Sequence, residues 1–423
     1  MRPACTWAFC APRVRIARIR VLRCSAARAH SDHLAARSLG AIPQQPPREA
    51  ALTELRPLDR PEDVNAVLDL AWRVCGRYPQ WVPYYLRSDR RRLLRGEYSY
   101  FINRKVRRHT LGLFQGGRLI ATGTAYVDPP LQEHLGRAVG FLGQFETEPG
   151  VDVSTLLAAA HEWLGSERAS EVWAPVNCPI QIELGGVLTE GGDQSAPFFS
   201  SWTPPHYGAV WEPAGYRPVQ SYHNYVVHLT APDLPDRIAD WRRRAEANGV
   251  TFRFGDRKAF EVDLRTVAEL YNATFDRHWG HGPMAIEEFV ELTAAMRDIA
   301  EPKMSVFAEQ DGQVVGFRVG FPQYEPVFRM LDGDLSWHKY PRLPFAMRRI
   351  REGISLIVGV RPEARGLGIA PALSACIYAE MLRRRYPRVI HTAIFDDNVN
   401  SQRQVAKMGG VRGQGWTIYG RNL

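Results

Sequence analysis

ISLIVGV-RPEARGLGIA-PALSACI, residues 354–377, runs from an apolar stretch through a turn with two glycines into the start of a helix, and this order decides the fold. The run 354–360 has the length and composition of a buried strand. Leu373, Ile377 and Met381, joined by Cys376 and Ala379, recur at helical spacing. Pro371 suits a first turn, where no N–H partner is needed, and Arg383, Arg384 and Arg385 close the last turn, where cations suit the dipole. Gly366 and Gly368 remove side chains where a ligand must approach the main chain, and the first helical turn offers free N–H groups. The layout suits a pyrophosphate. A Walker loop is excluded because no Lys-Ser/Thr follows the second glycine, and a dinucleotide fingerprint because there is no third glycine.

Downstream, DNVNSQRQVAKMG at residues 397–409 follows a second strand-like run, 389–395. Taken alone it reads as a βαβ unit whose helix is capped by Asn398. Taken with the first segment it resembles the GNAT acyltransferase superfamily. The coenzyme A loop of that superfamily, Arg/Gln-x-x-Gly-x-Gly/Ala after a strand, is matched by Arg365, Gly368 and Ala370. Its second helix is matched by Asn398, Lys407 and Gly409, with Ser401 at the small-residue position. The resemblance implies that Val358, Gly359, Val360, Arg365, Gly366, Leu367, Gly368, Ile369, Ala370, Asn398 and Ser401 bind the donor, acetyl-CoA or another acyl-CoA. It also implies that the two strands splay to admit the pantetheine arm. One position departs from the pattern: the tyrosine that often serves as general acid is Val405 here.

Chain length and charge bound the alternatives. The 423 residues suit two domains of roughly 150 to 200 residues. No stretch approaches the roughly 18 to 20 apolar residues of a membrane span, so no membrane partner is expected. Of the net charge of +9, residues 1–50 hold +7, nine arginines against Asp32 and Glu49, which leaves +2 for the other 373 residues. A nucleic-acid surface is therefore not expected. The Arg- and Ala-rich leader fits a mitochondrial presequence, a short secretory signal or an unused upstream start, and the last is the reading adopted. The cysteines at 5, 10, 24, 75, 178 and 376 include no C-x-x-C pair, so neither a disulfide framework nor a metal site is expected, and the cytoplasm is the expected location. His278 and His281 read as pocket or surface residues.

The order of elements repeats on either side of 231–235. Each half offers a strand, a helix and a hairpin, turning at Gly116-Gly117 in the first half and at Asp311-Gly312 in the second. The expected architecture is mixed α+β within the α/β class: a disordered basic leader and linker (1–50), a degenerate GNAT-like module (51–230) and a GNAT acyltransferase module (231–423). Each module would be a mostly antiparallel mixed sheet flanked by helices. The first half has Glu146, Glu148 and Asp152 where a pyrophosphate would sit, so only the second is expected to bind coenzyme A. Residues 140–146, 174–177, 203–207, 214–216, 271–280 and 417–419 resemble a bacterial group of tandem GNAT proteins.

The activity implied by the resemblance is acyl-CoA-dependent N-acyl transfer, first of all N-acetyl transfer, to a small-molecule amine through a tetrahedral intermediate. Glu352 is a candidate base acting through water, or a partner of Arg348, Arg349 or Arg351. Tyr419 is a candidate acid in place of Val405. The segment 322–351, with Tyr324, Asp332, Asp334, Trp337, His338 and Tyr340, is long for a connection and reads as a substrate cover whose acids attract a cationic amine. A coenzyme A-binding regulatory or scaffold protein without turnover, and a protein-lysine acyltransferase, are the alternatives.

Overall fold

The computed structural model describes residues 52–276 and 278–423, so the leader lies outside the described residues. Thirteen strands form one sheet: β1 (Thr53–Pro57), β2 (Arg107–Gln115), β3 (Arg118–Val127), β4 (Val139–Thr147), β5 (Glu171–Ala174), β6 (Val187–Glu190), β7 (Arg217–His228), β8 (Thr251–Phe254), β9 (Ser305–Gln310), β10 (Gln313–Pro322), β11 (Glu352–Val360), β12 (Arg388–Phe395) and β13 (Gly410–Asn422). Their order is β1-β2-β3-β4-β5-β13-β7-β12-β11-β10-β9-β8, with β6 paired to β13. Among the described residues only β4–β5 and β11–β12 pair in parallel. The whole is a mixed, mostly antiparallel sheet flanked by helices.

Both hairpins form where the glycine turns place them. Gly116 and Gly117 have φ of 57° and 77°, and Asp311 and Gly312 have 50° and 77°, the left-handed pairs that a two-residue turn requires. The helix after β4 is Ser154–Ser166, and the one after the glycine loop is Ile369–Arg383. The two halves repeat the same five-strand plan, β1 to β5 and β8 to β12, and then exchange their last strands. β7 follows β5 in the chain yet pairs with β12, while β13 follows β12 yet pairs with β5. The sheet is therefore continuous across residue 230. One hydrophobic core draws on both halves, with Phe141 and Trp173 from the first packed among Tyr271, Phe307, Phe317 and Trp416 from the second.

Candidate active site

β11 and β12 pair only over Glu352–Ser355 and Arg388–His391. Beyond that point they part. Val319 pairs with Ile357 and Gly320 with Ser355, so Leu356 is an extra residue in β11, a β-bulge that bends the strand. On the other side β12 turns away with Ala393 at φ 51° and a shifted register against β7. Leu356, Ile357 and Val358 then face Thr392 and Ile394 across an opening shared by two cavities.

The larger cavity, about 310 Å³, is mostly apolar. The helix Phe260–Phe275 contributes Phe260, Leu264, Val267, Tyr271 and Phe275, and the sheet contributes Phe307, Val319 and Phe321. Ile180, Ile182, Leu184 and Phe199 come from the first half of the chain. Among the described residues, two polar atoms in this wall, Tyr271 Oη and Gln181 Oε1, are buried without a hydrogen-bond partner, a place that water or a ligand group can fill.

His278 and His281 line the same cavity. Their loop is fixed by Trp279, which stacks on Trp173 at 4.4 Å, and by the Trp279 carbonyl, 2.9 Å from His281 Nδ1. Burial pushes His281 down to about 4 and also holds His278 below the usual imidazole value, where the Asp397 charge opposes the effect and the Arg365 charge adds to it. Asn398 caps the helix Val399–Lys407, its Oδ1 accepting from the Ser401 N–H at 3.1 Å. Its amide nitrogen then faces His278 Nε2 at 3.4 Å, which makes Nε2 the acceptor and leaves the ring neutral.

The glycine loop adjoins this opening in the chain. Gly366 and Gly368 have φ of 90° and 77°, a conformation that favours glycine, and a Cβ on Gly366 would meet nothing within 4 Å. Gly368 caps the helix Ile369–Arg383 with no side-chain hydrogen bond, so the first-turn N–H groups stay available to an anion. Arg365 is exposed beside them. Open space, uncapped donors and a nearby cation together fit a pyrophosphate.

The smaller cavity, about 50 Å³, is lined by Arg318, Ser355, His391, Ser401, Gln404 and Val405 among others. Arg318 is buried, and its guanidinium bonds neutral groups: Ser355 Oγ, Ser374 Oγ and His391 Nδ1, each at 2.8 Å. Among the described residues it makes no ion pair, and burial lowers its pKa to about 10. His391, held neutral by burial and by this cation, is 2.5 Å from Tyr378 Oη through its other nitrogen. Gln404 Nε2 is buried without a hydrogen-bond partner among the described residues. A buried cation without a counter-ion is costly and suits a site where negative charge arrives or develops.

Several expected site residues are placed elsewhere. Glu352 sits at the paired root of β11, where it forms an ion pair with Arg388 rather than with the neighbouring arginines, and it lines neither cavity. Tyr419 also lies apart from the gap: the strand exchange carries β13 to β5, so Tyr419 pairs with Ala174 and packs in the first half's core, stacked on Trp211. The segment 322–351 contributes no residue to either cavity, and its acids Asp332 and Asp334 are engaged, Asp332 by Trp72 Nε1 and Asp334 by Ser336 and Lys339. Arg318, Gln404 and the first-half wall carried no motif in the sequence. No group of three metal-ligating side chains occurs among the described residues.

A splayed parallel strand pair beside a helix N-terminus forms a site that suits a phosphate-bearing ligand. Residues 264–409, about a third of the chain, match the model of the Acetyltransferase (GNAT) family. Among similar proteins, Protein YghO of Escherichia coli is 23% identical over 319 residues, 73% of this chain and 80% of that one. Bacterial ceramide synthase of Caulobacter vibrioides is 25% identical over 292 residues, 67% and 74% of the two chains. The tandem GNAT protein from the clavulanic acid biosynthesis pathway shares the fold with a TM-score of 0.52 at 15% identity, over 88% of this chain and 98% of its own.

Proposed function

We propose that the protein transfers an acyl group from acyl-CoA to an amine, and that at least one of the two substrates carries a long aliphatic chain. The observation that carries this reading is the apolar cavity opening into the β11–β12 gap beside His278. A small acetyl group and a small polar amine would leave such a wall wet. The name of the Caulobacter relative, ceramide synthase, points to lipid N-acylation as well.

In this reading the pyrophosphate of the donor rests on the N–H groups from Gly366 to Ala370 with Arg365 alongside, and the pantetheine arm runs along Val358, Gly359 and Val360 toward Asn398 and Ser401. The amine nitrogen attacks the thioester carbon, its proton passes to His278 Nε2, and the C–S bond breaks to leave an amide and coenzyme A thiolate. The 3.4 Å contact from Asn398 lies near the limit of a hydrogen bond, so an incoming amine displaces it at small cost. A depressed pKa keeps His278 neutral at neutral pH, as a base must be. Arg318 and the unpartnered Gln404 amide supply positive potential where the thiolate forms, the task that Val405 cannot perform as an acid.

Thiol release is the direct test. Acyl-CoAs of increasing chain length are offered with one fixed amine, then amines of increasing chain length with acetyl-CoA. Each buried methylene is worth about 0.8 kcal/mol, roughly a fourfold rise in kcat/KM until the cavity fills. A flat response in both series would overturn the lipid assignment. Donor binding by titration calorimetry with no turnover on any amine would favour the regulatory alternative.

A further inference from the structure

The connection between β10 and β11 contains the sequence LSWHKYPRLPFAMRRIR, residues 335–351. It holds five cations (Lys339, Arg342, Arg348, Arg349 and Arg351) and no acid. It also holds Leu335, Trp337, Tyr340, Phe345 and Met347, five of the thirteen large apolar side chains exposed among the described residues, with Trp337 80% and Phe345 66% exposed. Such crowding in a stretch of thirteen residues is not the scatter normal for a surface. The segment is nonetheless anchored. Asp332 accepts from Trp72 Nε1 at 2.8 Å, the Gly333 carbonyl accepts from the Arg87 N–H at 2.8 Å, and Ala346 and Ile350 are buried in the second half's core. Anchoring through Ala346 and Ile350 leaves Phe345, Met347, Arg348 and Arg349 outward. Among the described residues, Arg342, Arg348, Arg349 and Arg351 form no ion pair.

We propose that residues 335–351 dock the protein on an anionic lipid bilayer surface. Tryptophan and tyrosine beside leucine, phenylalanine and methionine match the apolar side of a headgroup region, and the unpaired arginines match its phosphates. Protein interfaces draw on the same aromatic, methionine and arginine side chains, and what favours a bilayer is the run of five cations with no acid. Docking here also has a use. The connection leaves β10 at Pro322, directly after Phe321, whose ring walls the apolar cavity, and it returns at Glu352, two residues before Ile354, the partner of Phe321. The connection therefore begins and ends beside one wall residue of the cavity, and docking would hold that wall near the bilayer. This use rests on the lipid reading of the site, whereas docking itself does not. No helix among the described residues is long and apolar enough to cross a membrane, so the attachment is peripheral.

The test is co-sedimentation of the full chain with vesicles of phosphatidylcholine alone and with about a third phosphatidylglycerol. Because residues 1–50 carry their own arginines, the comparison is between variants of the full chain. Trp337→Ser/Phe345→Ser and, separately, Arg348→Glu/Arg349→Glu are each expected to weaken binding to the anionic vesicles at least tenfold. The melting temperature should stay unchanged, since all four side chains are exposed. Unchanged binding in both variants overturns the proposal. So does a change of oligomeric state in Trp337→Ser/Phe345→Ser with vesicle binding intact, which would make the patch a protein interface. Vesicle binding needs no turnover, so these outcomes are independent of the thiol-release test.

Discussion

The two halves of the sheet contain the same strand gap, and they fill it differently. In the second half β11 and β12 part after Ser355 and His391, and the space between them is open. In the first half β4 and β5 pair over Val139–Phe141 and Glu171–Trp173 and then also part, but the chain itself enters the gap. The Val176 N–H donates to the Leu142 carbonyl at 2.9 Å, and the Gln144 N–H donates to Asn177 Oδ1 at 2.7 Å. Gly143 permits this contact, since a Cβ there would lie 2.0 Å from the Val176 carbonyl oxygen. Residues 175–177 thus occupy the position that a pantetheine arm is proposed to take in the other half. The loops after the strands diverge as well. Gly366 and Gly368 leave an uncapped helix beside Arg365, whereas Glu148 forms ion pairs with Arg73 and Arg118 and Asp152 accepts from the Ser154 N–H at 2.9 Å. One framework thus supports a self-filled structural half and an open half.

The sharpest way to break this contrast is to exchange the charges of the two loops. Arg365→Glu with Gly368→Asp removes a cation and sets carboxylates against the helix N-terminus, and acyl-CoA affinity by calorimetry should fall at least ~100-fold, about 2.7 kcal/mol. Glu148→Gln with Asp152→Asn should leave it unchanged; a change there would mean that the first half binds the donor too. Next in size, His278→Gln should lower kcat by roughly 10² to 10³ with acyl-CoA affinity intact. Because protonated imidazole cannot accept the amine's proton, wild-type activity should be lost as pH falls. The depressed pKa puts that limb below about 6.5, the ordinary imidazole value. In the variant the limb should vanish, and its persistence would assign the base to another group. Smaller again, Gly143→Ala should destabilise the protein by about 1–3 kcal/mol in chemical denaturation, because a Cβ cannot fit against residue 176. A neutral result would mean that the first gap yields without cost.

The open half was largely legible in the sequence because its distinguishing features are local. Gly366, Gly368 and Asn398 are constrained by backbone angles and caps that leave a mark within a few residues. The hairpins at 116–117 and 311–312 were legible for the same reason. What stayed hidden depends on contacts far apart in the chain. Arg318 bonds Ser374 and His391, 56 and 73 residues away, and no local pattern announces it. The cavity wall at Ile180, Ile182 and Leu184 comes from a loop whose apolar residues lack strand or helix periodicity. The exchange of β7 and β13 is a choice between two equally plausible sheet edges, settled by packing across the whole sheet.

That exchange also yields the smallest expected effects, which test the placement of β13. Tyr419 is carried to β5 by the exchange and stacked on Trp211, so Tyr419→Phe keeps the ring contact and removes only a hydroxyl distant from the gap. Glu352 is joined to a half-exposed arginine at the closed root of β11, and such pairs contribute about 0–1 kcal/mol. Both Tyr419→Phe and Glu352→Gln should therefore leave kcat within about twofold of wild type. A tenfold loss in Tyr419→Phe with stability unchanged would require β13 to lie beside the reacting atoms. The strand exchange would then have to be replaced by two separately closed sheets, and the open gap would regain the acid that Val405 lacks.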